Sequence, residues 1–288
     1  MKMKSYRIAF VFCLLLCGHV ALAQEKEEPI QADWLAKDVA NIERFLPQLQ
    51  REPLTLAKIE TLFGERHVEY TDLGFGGRTF AFSKPGGYTS LRVNGFAFND
   101  MIGRYEISLD CSSWSKISSV LTDAWKRNSE LEFKEWKEGI YYEREFPDVI
   151  ADFKKTIGAQ LGELRPVTVP QHLKDTYEEL LALGRNSRIG SGPCGYGGVT
   201  PRGKAAMDAL VTANRIDLIG NILKGYNPGG RMYAALALIA MQRKGIELPP
   251  DLRRALEVVR TMDIRLETCS GCIVSSKTPK LIIAEWPF

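Results

Sequence analysis

The spacing of the apolar residues changes partway along the chain, and this change limits the folds that the sequence can adopt. Between residues 78 and 111, apolar and polar side chains alternate, most cleanly from Tyr105 to Leu109. A period of two is typical of strands that are buried on one face and solvated on the other. After residue 170 the apolar residues recur every three or four positions, which is typical of helices that pack on a core. The sequence therefore predicts a sheet region followed by a helical region.

The first region predicts an α+β domain that covers residues 33–164. Helical segments begin at Asp33 and at Thr55, and the strands follow them. Pro85-Gly86-Gly87 predicts a turn between two strands. Helical spacing returns after the strands, ending with the segment from Asp148 to Leu161. This order favours an antiparallel sheet with helices covering one face and with the other face solvated.

A short segment of this domain resembles a known type of module. Leu54 to Gly64 predicts a short helix that ends in Phe-Gly and is followed by strands. In this respect it resembles the opening of envelope domains of the SmpA/BLIP-like kind. The resemblance covers less than half of the chain. It implies a small α+β module that binds other proteins.

The second region, residues 165–288, is predicted to be an all-α domain with a disulfide-stapled tail. The stretch from Pro228 to Leu238 contains Pro, then Arg231, then paired alanines and a leucine, and it resembles a HEAT-repeat helix. A weaker copy begins at Pro201. Small Ala side chains allow neighbouring helices to approach closely, while Leu and Ile fill the space between layers. The resemblance implies a HEAT-like helical array that offers a binding surface.

The amino terminus combines basic residues, an apolar run and a small-residue ending. Basic side chains within the first seven residues precede the apolar run from Ile8 to Leu16, and Ala21-Leu22-Ala23 closes the segment. This pattern predicts a signal peptide over residues 1–23, followed by a flexible lead-in over residues 24–32. We therefore expect a periplasmic or secreted protein with no integral membrane span after removal of the leader.

The charge balance and the compartment limit the classes of ligand. The full chain has 38 basic and 35 acidic residues, and loss of the leader with its three basic residues leaves 35 of each. A neutral chain gives no electrostatic reason to expect nucleic acid as a partner. Nucleotides are scarce outside the cytosol, and the glycines of Gly190 to Gly195 follow no predicted strand, so we expect no cofactor. His67 and His172 are too few for a histidine metal site, and no metal is expected.

Four cysteines remain after the predicted leader, namely Cys111, Cys194, Cys269 and Cys272. Because export favours oxidation, we expect a structural disulfide, with Cys194 as the natural partner of Cys269 or Cys272. The Cys-x-x-Cys spacing of Cys269 and Cys272 leaves a thiol-disulfide oxidoreductase as an alternative. A zinc site remains a further alternative if all four thiols converge. Cys111 lies on the apolar side of its strand and is also compatible with a buried thiol.

The favoured interpretation is an exported, non-catalytic protein that binds a protein partner in the envelope or outside the cell. No catalytic residue is assigned. The candidate partner surface lies near the starts of the C-terminal helices and consists of Arg202, Tyr226, Arg231 and Tyr233. The glutamate-rich segment around Glu143 and Glu145, which also contains aromatic residues, leaves a cell-wall glycan hydrolase as an alternative, because paired carboxylates cleave glycosidic bonds.

Overall fold

The computed structural model of the protein describes residues 30–288, apart from residues 52, 65–67, 113, 184–187 and 196. The predicted signal peptide, most of the predicted lead-in and His67 lie outside the described residues. Within the described part of the chain, none of the helices has the length and apolar character that crossing a membrane requires.

The first part of the chain forms a sheet with flanking helices, in the order α1 (Ala32–Leu49), α2 (Leu56–Phe63), β1 (Val68–Gly74), β2 (Gly77–Pro85), β3 (Ser90–Phe98), β4 (Met101–Asp110), α3 (Trp114–Asn128), β5 (Lys134–Trp136), β6 (Gly139–Glu145) and α4 (Pro147–Leu161). The strands form one antiparallel sheet with the order β1-β2-β3-β4-β6-β5. The predicted α+β class with an N-terminal antiparallel sheet is therefore confirmed.

Helices α1, α2 and α3 cover one face of this sheet and form the first core. The alternation predicted for β4 is confirmed, because Tyr105, Ile107 and Leu109 are buried on this face. They pack with apolar side chains of the helices, such as Phe45 and Leu121. Fully burying one large apolar side chain stabilises the folded state by about 1.5–3 kcal/mol. Because these side chains lie on one face of the sheet, that face is the one that packs against the helices.

A buried carboxylate connects α1 to the turn between β2 and β3. Asp38 on α1 accepts hydrogen bonds from the backbone N–H groups of Gly87 at 2.9 Å, Tyr88 at 2.9 Å and Thr89 at 3.1 Å. The Thr89 hydroxyl donates a further bond at 2.9 Å. These bonds satisfy a charge that would otherwise be costly to bury, and they anchor the hairpin turn to the helix layer.

The opposite face of the sheet is only partly solvated, which corrects the expectation of one wet face. Phe96 points away from the first core and packs against Phe153 of α4, with 4.9 Å between the ring centroids. Phe98 contacts the same ring at 5.5 Å. These apolar side chains interrupt the polar face, and α4 covers them because leaving them in water would be unfavourable.

The second part of the chain is mainly helical, in the order of a short 3₁₀ turn (Gln171–Leu173), α5 (Lys174–Leu181), α6 (Arg202–Thr212), α7 (Ile216–Leu223), α8 (Pro228–Arg243), α9 (Pro250–Thr261), β7 (Leu266–Ser270), β8 (Ile273–Lys277) and α10 (Pro279–Glu285). The predicted helical region is confirmed. The antiparallel hairpin β7–β8 adds a two-stranded sheet to it that the all-α expectation did not include. Its residues Thr268, Ile273 and Val274 are β-branched, and Ser270-Gly271 supplies a turn signal.

Helix α8 runs through the middle of the second core. Every residue from Pro228 to Leu236 is buried. Asn227 caps the helix, because its side-chain oxygen accepts hydrogen bonds from the N–H groups of Gly229 at 2.9 Å and Gly230 at 3.3 Å. A Cβ atom at Gly230 would lie 1.8 Å from the carbonyl oxygen of Leu180. Glycine is therefore required where α8 crosses α5.

The two cores meet at α4. Its side chains Phe153, Ile157 and Leu161 belong to the second core, together with the C-terminal helices, although α4 precedes the predicted domain boundary at residue 164. The division into domains 33–164 and 165–288 remains a prediction about folding units. The HEAT-like arrangement of the helices also remains a prediction.

Replacing Gly230 with alanine tests the close crossing of α5 and α8. We expect Gly230→Ala to lower the free energy of unfolding by about 3 kcal/mol, the upper part of the usual range for overpacking, because the methyl group meets backbone rather than a movable side chain. Urea denaturation followed by circular dichroism measures this change. Gly192→Ala is the control, since a Cβ there meets no atom within 4 Å. Equal stability of the two variants would contradict the crossing.

Candidate functional site

A disulfide joins the glycine-rich loop to the C-terminal hairpin. Cys194 bonds to Cys269 of β7, with 5.8 Å between their Cα atoms. We call β7, β8, the Gly271-Cys272 turn and the described residues of 188–199 the stapled hairpin. Cys272 is an exposed thiol in this turn, and Cys111 is a half-buried thiol at the end of β4.

Backbone hydrogen bonds extend this covalent link into a ladder. The N–H of Ile189 donates to the carbonyl of Glu267 at 2.9 Å, and the N–H of Cys269 donates to the carbonyl of Ile189 at 2.8 Å. Further along, the N–H of Gly195 donates to the carbonyl of Gly271 at 2.8 Å. Arg188 also forms an ion pair with Glu267. The loop is therefore held as an additional ribbon beside β7, which limits its motion.

Tyr233 of α8 supports this ladder from inside the core. Its hydroxyl donates to the carbonyl of Arg188 at 2.8 Å and accepts from the N–H of Gly190 at 2.9 Å. Burial raises the pKa of Tyr233, so the hydroxyl stays protonated and keeps its donor role. Tyr233 is only 1% exposed. Its predicted place on a partner surface is therefore wrong, because the side chain is needed to hold the loop.

Three apolar side chains on the stapled hairpin face solvent. Ile273 is 72% exposed and Val199 is 67% exposed, the two highest fractions among the large apolar side chains that are described. Val274 is 50% exposed. Sequence reasoning missed these residues, although the β-branched pair after Ser270-Gly271 was a usable signal for a hairpin. Because all three belong to the stapled hairpin, this part of the molecule is a candidate interaction surface.

The two faces of the β7–β8 hairpin line separate clefts. One cleft has a volume of about 750 Å³ and separates the face that carries Val274 from Tyr70 and Asp72 of β1. The other has a volume of about 330 Å³ and separates the face that carries Ile273 from Trp286 near the end of the chain. The hairpin therefore stands between two concave regions.

Arg231, another predicted surface residue, is buried instead. Its guanidinium donates to the carbonyls of Leu73 and Gly225 and lies over the ring of Phe75, 5.1 Å from its centroid. Burial lowers the pKa of Arg231 to about 9, and the charge of Asp72 partly opposes this shift. The side chain is still protonated at neutral pH. It connects α8 to the β1–β2 turn and cannot contact a partner.

The remaining two predicted surface residues lie apart from each other. Arg202 is exposed at the start of α6, shortly after Val199 of the stapled hairpin. Tyr226 is half-buried and lines a groove of about 920 Å³ between the polar face of the sheet and the ends of α4 and α5. The predicted partner surface is therefore not one continuous patch.

The groups considered for catalysis are engaged in other interactions. Glu143 forms an ion pair with Lys134 at 2.7 Å, and this hydrogen bond lowers the pKa of Glu143. A general acid for glycan cleavage needs the opposite shift. Glu145 lies 3.8 Å from Arg104. The other alternative was a thiol-disulfide oxidoreductase that uses Cys269 and Cys272. Cys269 is instead bonded to Cys194, so Cys269 and Cys272 do not form a redox pair in this structure.

The histidine, cysteine and acidic residues within the described part of the chain form no group of three or more that could hold a metal ion. Comparison with known proteins finds no family model, no curated protein and no solved structure that matches this chain. What the site does must therefore be inferred from its own geometry and chemistry.

Removing the disulfide tests whether it holds the stapled hairpin together. The bond closes a loop with a sequence separation of 75, so chain entropy predicts that Cys194→Ser with Cys269→Ser lowers the free energy of unfolding by about 4 kcal/mol. Urea denaturation under non-reducing conditions measures the loss. Cys272→Ser is the matched control and should change the free energy by less than about 0.5 kcal/mol, as exposed substitutions usually do. A double variant as stable as the parent would show that the bond is dispensable.

Proposed function

We propose that this chain is an exported, non-catalytic protein that binds a protein partner through the stapled hairpin. The observation that carries the proposal is the exposure of Ile273, Val199 and Val274 on a surface that is held by a disulfide and by backbone bonds. A rigid surface loses little conformational entropy on binding. Its apolar side chains gain by leaving water.

Export is supported by the chemistry of the cysteines. Disulfides persist in the periplasm and outside the cell, whereas the cytosol keeps most thiols reduced. The Cys194–Cys269 bond joins two segments with a sequence separation of 75. The signal peptide predicted for residues 1–23 agrees with this compartment.

The surroundings of the exposed residues suit a protein better than a small molecule. Ile273 and Val274 stand on a projecting hairpin, and the two clefts beside it open on opposite faces. Small-molecule sites usually enclose most of their ligand. A protein surface can instead cover the hairpin and reach into both clefts. Protein interfaces typically bury an apolar centre of this kind and surround it with a polar rim.

Site-specific photo-crosslinking tests this proposal. We expect a photoreactive amino acid at position 273 or 199 to form a covalent adduct of defined mass when the protein is illuminated in envelope preparations of its source. Mass spectrometry of the adduct identifies the partner. The expectation follows because both side chains are more than half exposed and would lie within the interface.

Val120 provides a matched control position, because it is also an exposed apolar residue but lies on α3, in the helix layer of the first core. An adduct at positions 273 and 199 without one at 120 supports the stapled hairpin as the binding surface. Equal labelling at all three positions, or none at any of them, would refute the proposal.

A further inference from the structure

Strand β8 is the outer strand of its sheet. On one side it pairs with β7. The other side of β7 is occupied by the glycine-rich loop. Ile189 of this loop bridges to Thr268 of β7, and Cys194 bridges to Gly271 just after the strand. Within the described residues, no strand pairs with the outer edge of β8. Such an edge presents backbone donors and acceptors in a row.

The hydrogen bonds of the loop show which residues of β8 face this edge. Ile189 bonds to the backbone of Glu267 and Cys269, so these two residues direct their N–H and C=O groups away from β8. Residues directly opposite each other in an antiparallel pair alternate between bonded and non-bonded positions. The residues opposite Glu267 and Cys269 are Ser276 and Val274. The backbone groups of Val274 and Ser276 therefore point to the outer edge.

Most of these outward groups have no partner within the protein. The carbonyl of Ser276 accepts a long bond of 3.3 Å from the Arg265 guanidinium. The N–H and C=O of Val274 and the N–H of Ser276 form no hydrogen bond with any described residue. The side chains of Val274 and of its neighbour Ile273 project from opposite faces of β8, and both are exposed. Polar backbone and apolar side chains are thus both available for pairing.

We propose that β8 pairs antiparallel with β8 of a second copy of this chain, which makes the second copy a partner of the stapled hairpin. In this register Val274 lies opposite Ser276 of the second copy, and Ser275 lies on the two-fold axis. The N–H and C=O of Val274 then bond to Ser276 of the second copy, and the symmetric bonds form on the other side of the axis. This proposal rests on the proposed function, because it names the occupant of the same surface.

The residues of β8 are self-complementary in this register. Ser275 is small and fits at the axis, where two identical side chains meet. Ile273 lies opposite Lys277 of the second copy and packs on its aliphatic stem. Lys277 forms an ion pair with Glu285 of its own chain, so its charge is already balanced where it lies opposite Ile273 of the second copy. Ile273 and Val274 lie on opposite faces, and the pairing covers part of both.

Sedimentation velocity of the purified, disulfide-bonded protein tests the pairing. We expect a concentration-dependent equilibrium between monomer and dimer. Val274→Pro should weaken association at least about tenfold, because proline removes an N–H that the dimer needs and that no bond within the chain uses. Val274→Thr keeps this N–H and the branched shape, so it should associate like the parent. The two variants should unfold at similar temperatures.

Cysteine cross-linking tests the register and does not depend on how the proline variant folds. In a Cys272→Ser background, Ser275→Cys places two thiols directly opposite each other, with their Cα atoms about 4.5 Å apart, and a disulfide dimer should form on mild oxidation. The matched variant Ser276→Cys places its thiols about 8 Å apart and should not cross-link. Non-reducing gel electrophoresis separates these outcomes.

A protein that remains monomeric at millimolar concentration, a Val274→Pro variant that dimerises like the parent, or equal cross-linking of the two cysteine variants would overturn the pairing. The proposed function fails separately. If the protein is monomeric and position 273 cross-links to a different protein, the proposed binding surface is supported and the pairing with a second copy is refuted. Absence of every adduct would remove both.

Discussion

The burial of α8 is the constraint on which the rest of the second core depends. The start of this helix has no solvated side, so each neighbouring segment must supply either apolar surface or a partner for a polar group. Gly230 allows α5 to cross at backbone contact, Arg231 holds the β1–β2 turn, and Tyr233 holds the glycine-rich loop. A helix of mixed composition can be buried on every side only when most of its polar groups are satisfied, and the Nε of Arg231 is the buried side-chain atom of α8 that has no hydrogen-bond partner among the described residues.

The candidate site follows from this arrangement. Because Tyr233 and the Cys194–Cys269 bond hold the loop against β7, one edge of the hairpin is filled and the other edge is left outside. Ile273 and Val274 then have no core to enter. Single exposed apolar side chains are common on protein surfaces, but these two lie on a strand whose outer edge is open, and this combination is the basis for proposing the hairpin as a binding surface. The same bonds that stabilise the loop thus create the exposed edge.

Much of the fold could be predicted from the sequence because its elements have clear periods. The strand alternation from Tyr105 to Leu109 and the helical spacing after residue 170 are local signals, and both are present in the structure. The β7–β8 hairpin was not predicted, because five-residue strands show little periodicity and the Cys-x-x-Cys spacing suggested other interpretations. Arg231 and Tyr233 were assigned to a surface because they lie near the start of a helix, and their position in the sequence does not show which way their side chains point.

By itself, the sequence determined the order of sheet and helical regions and the availability of cysteines for a disulfide, because periodicity and residue type are properties of short segments. Only the tertiary structure decided that Cys194 bonds to Cys269, that Arg231 and Tyr233 face inward, and that the edge of β8 remains open. These features depend on which distant segments meet. Such meetings are set by the packing of the whole core around α8, and no local pattern in the chain encodes them.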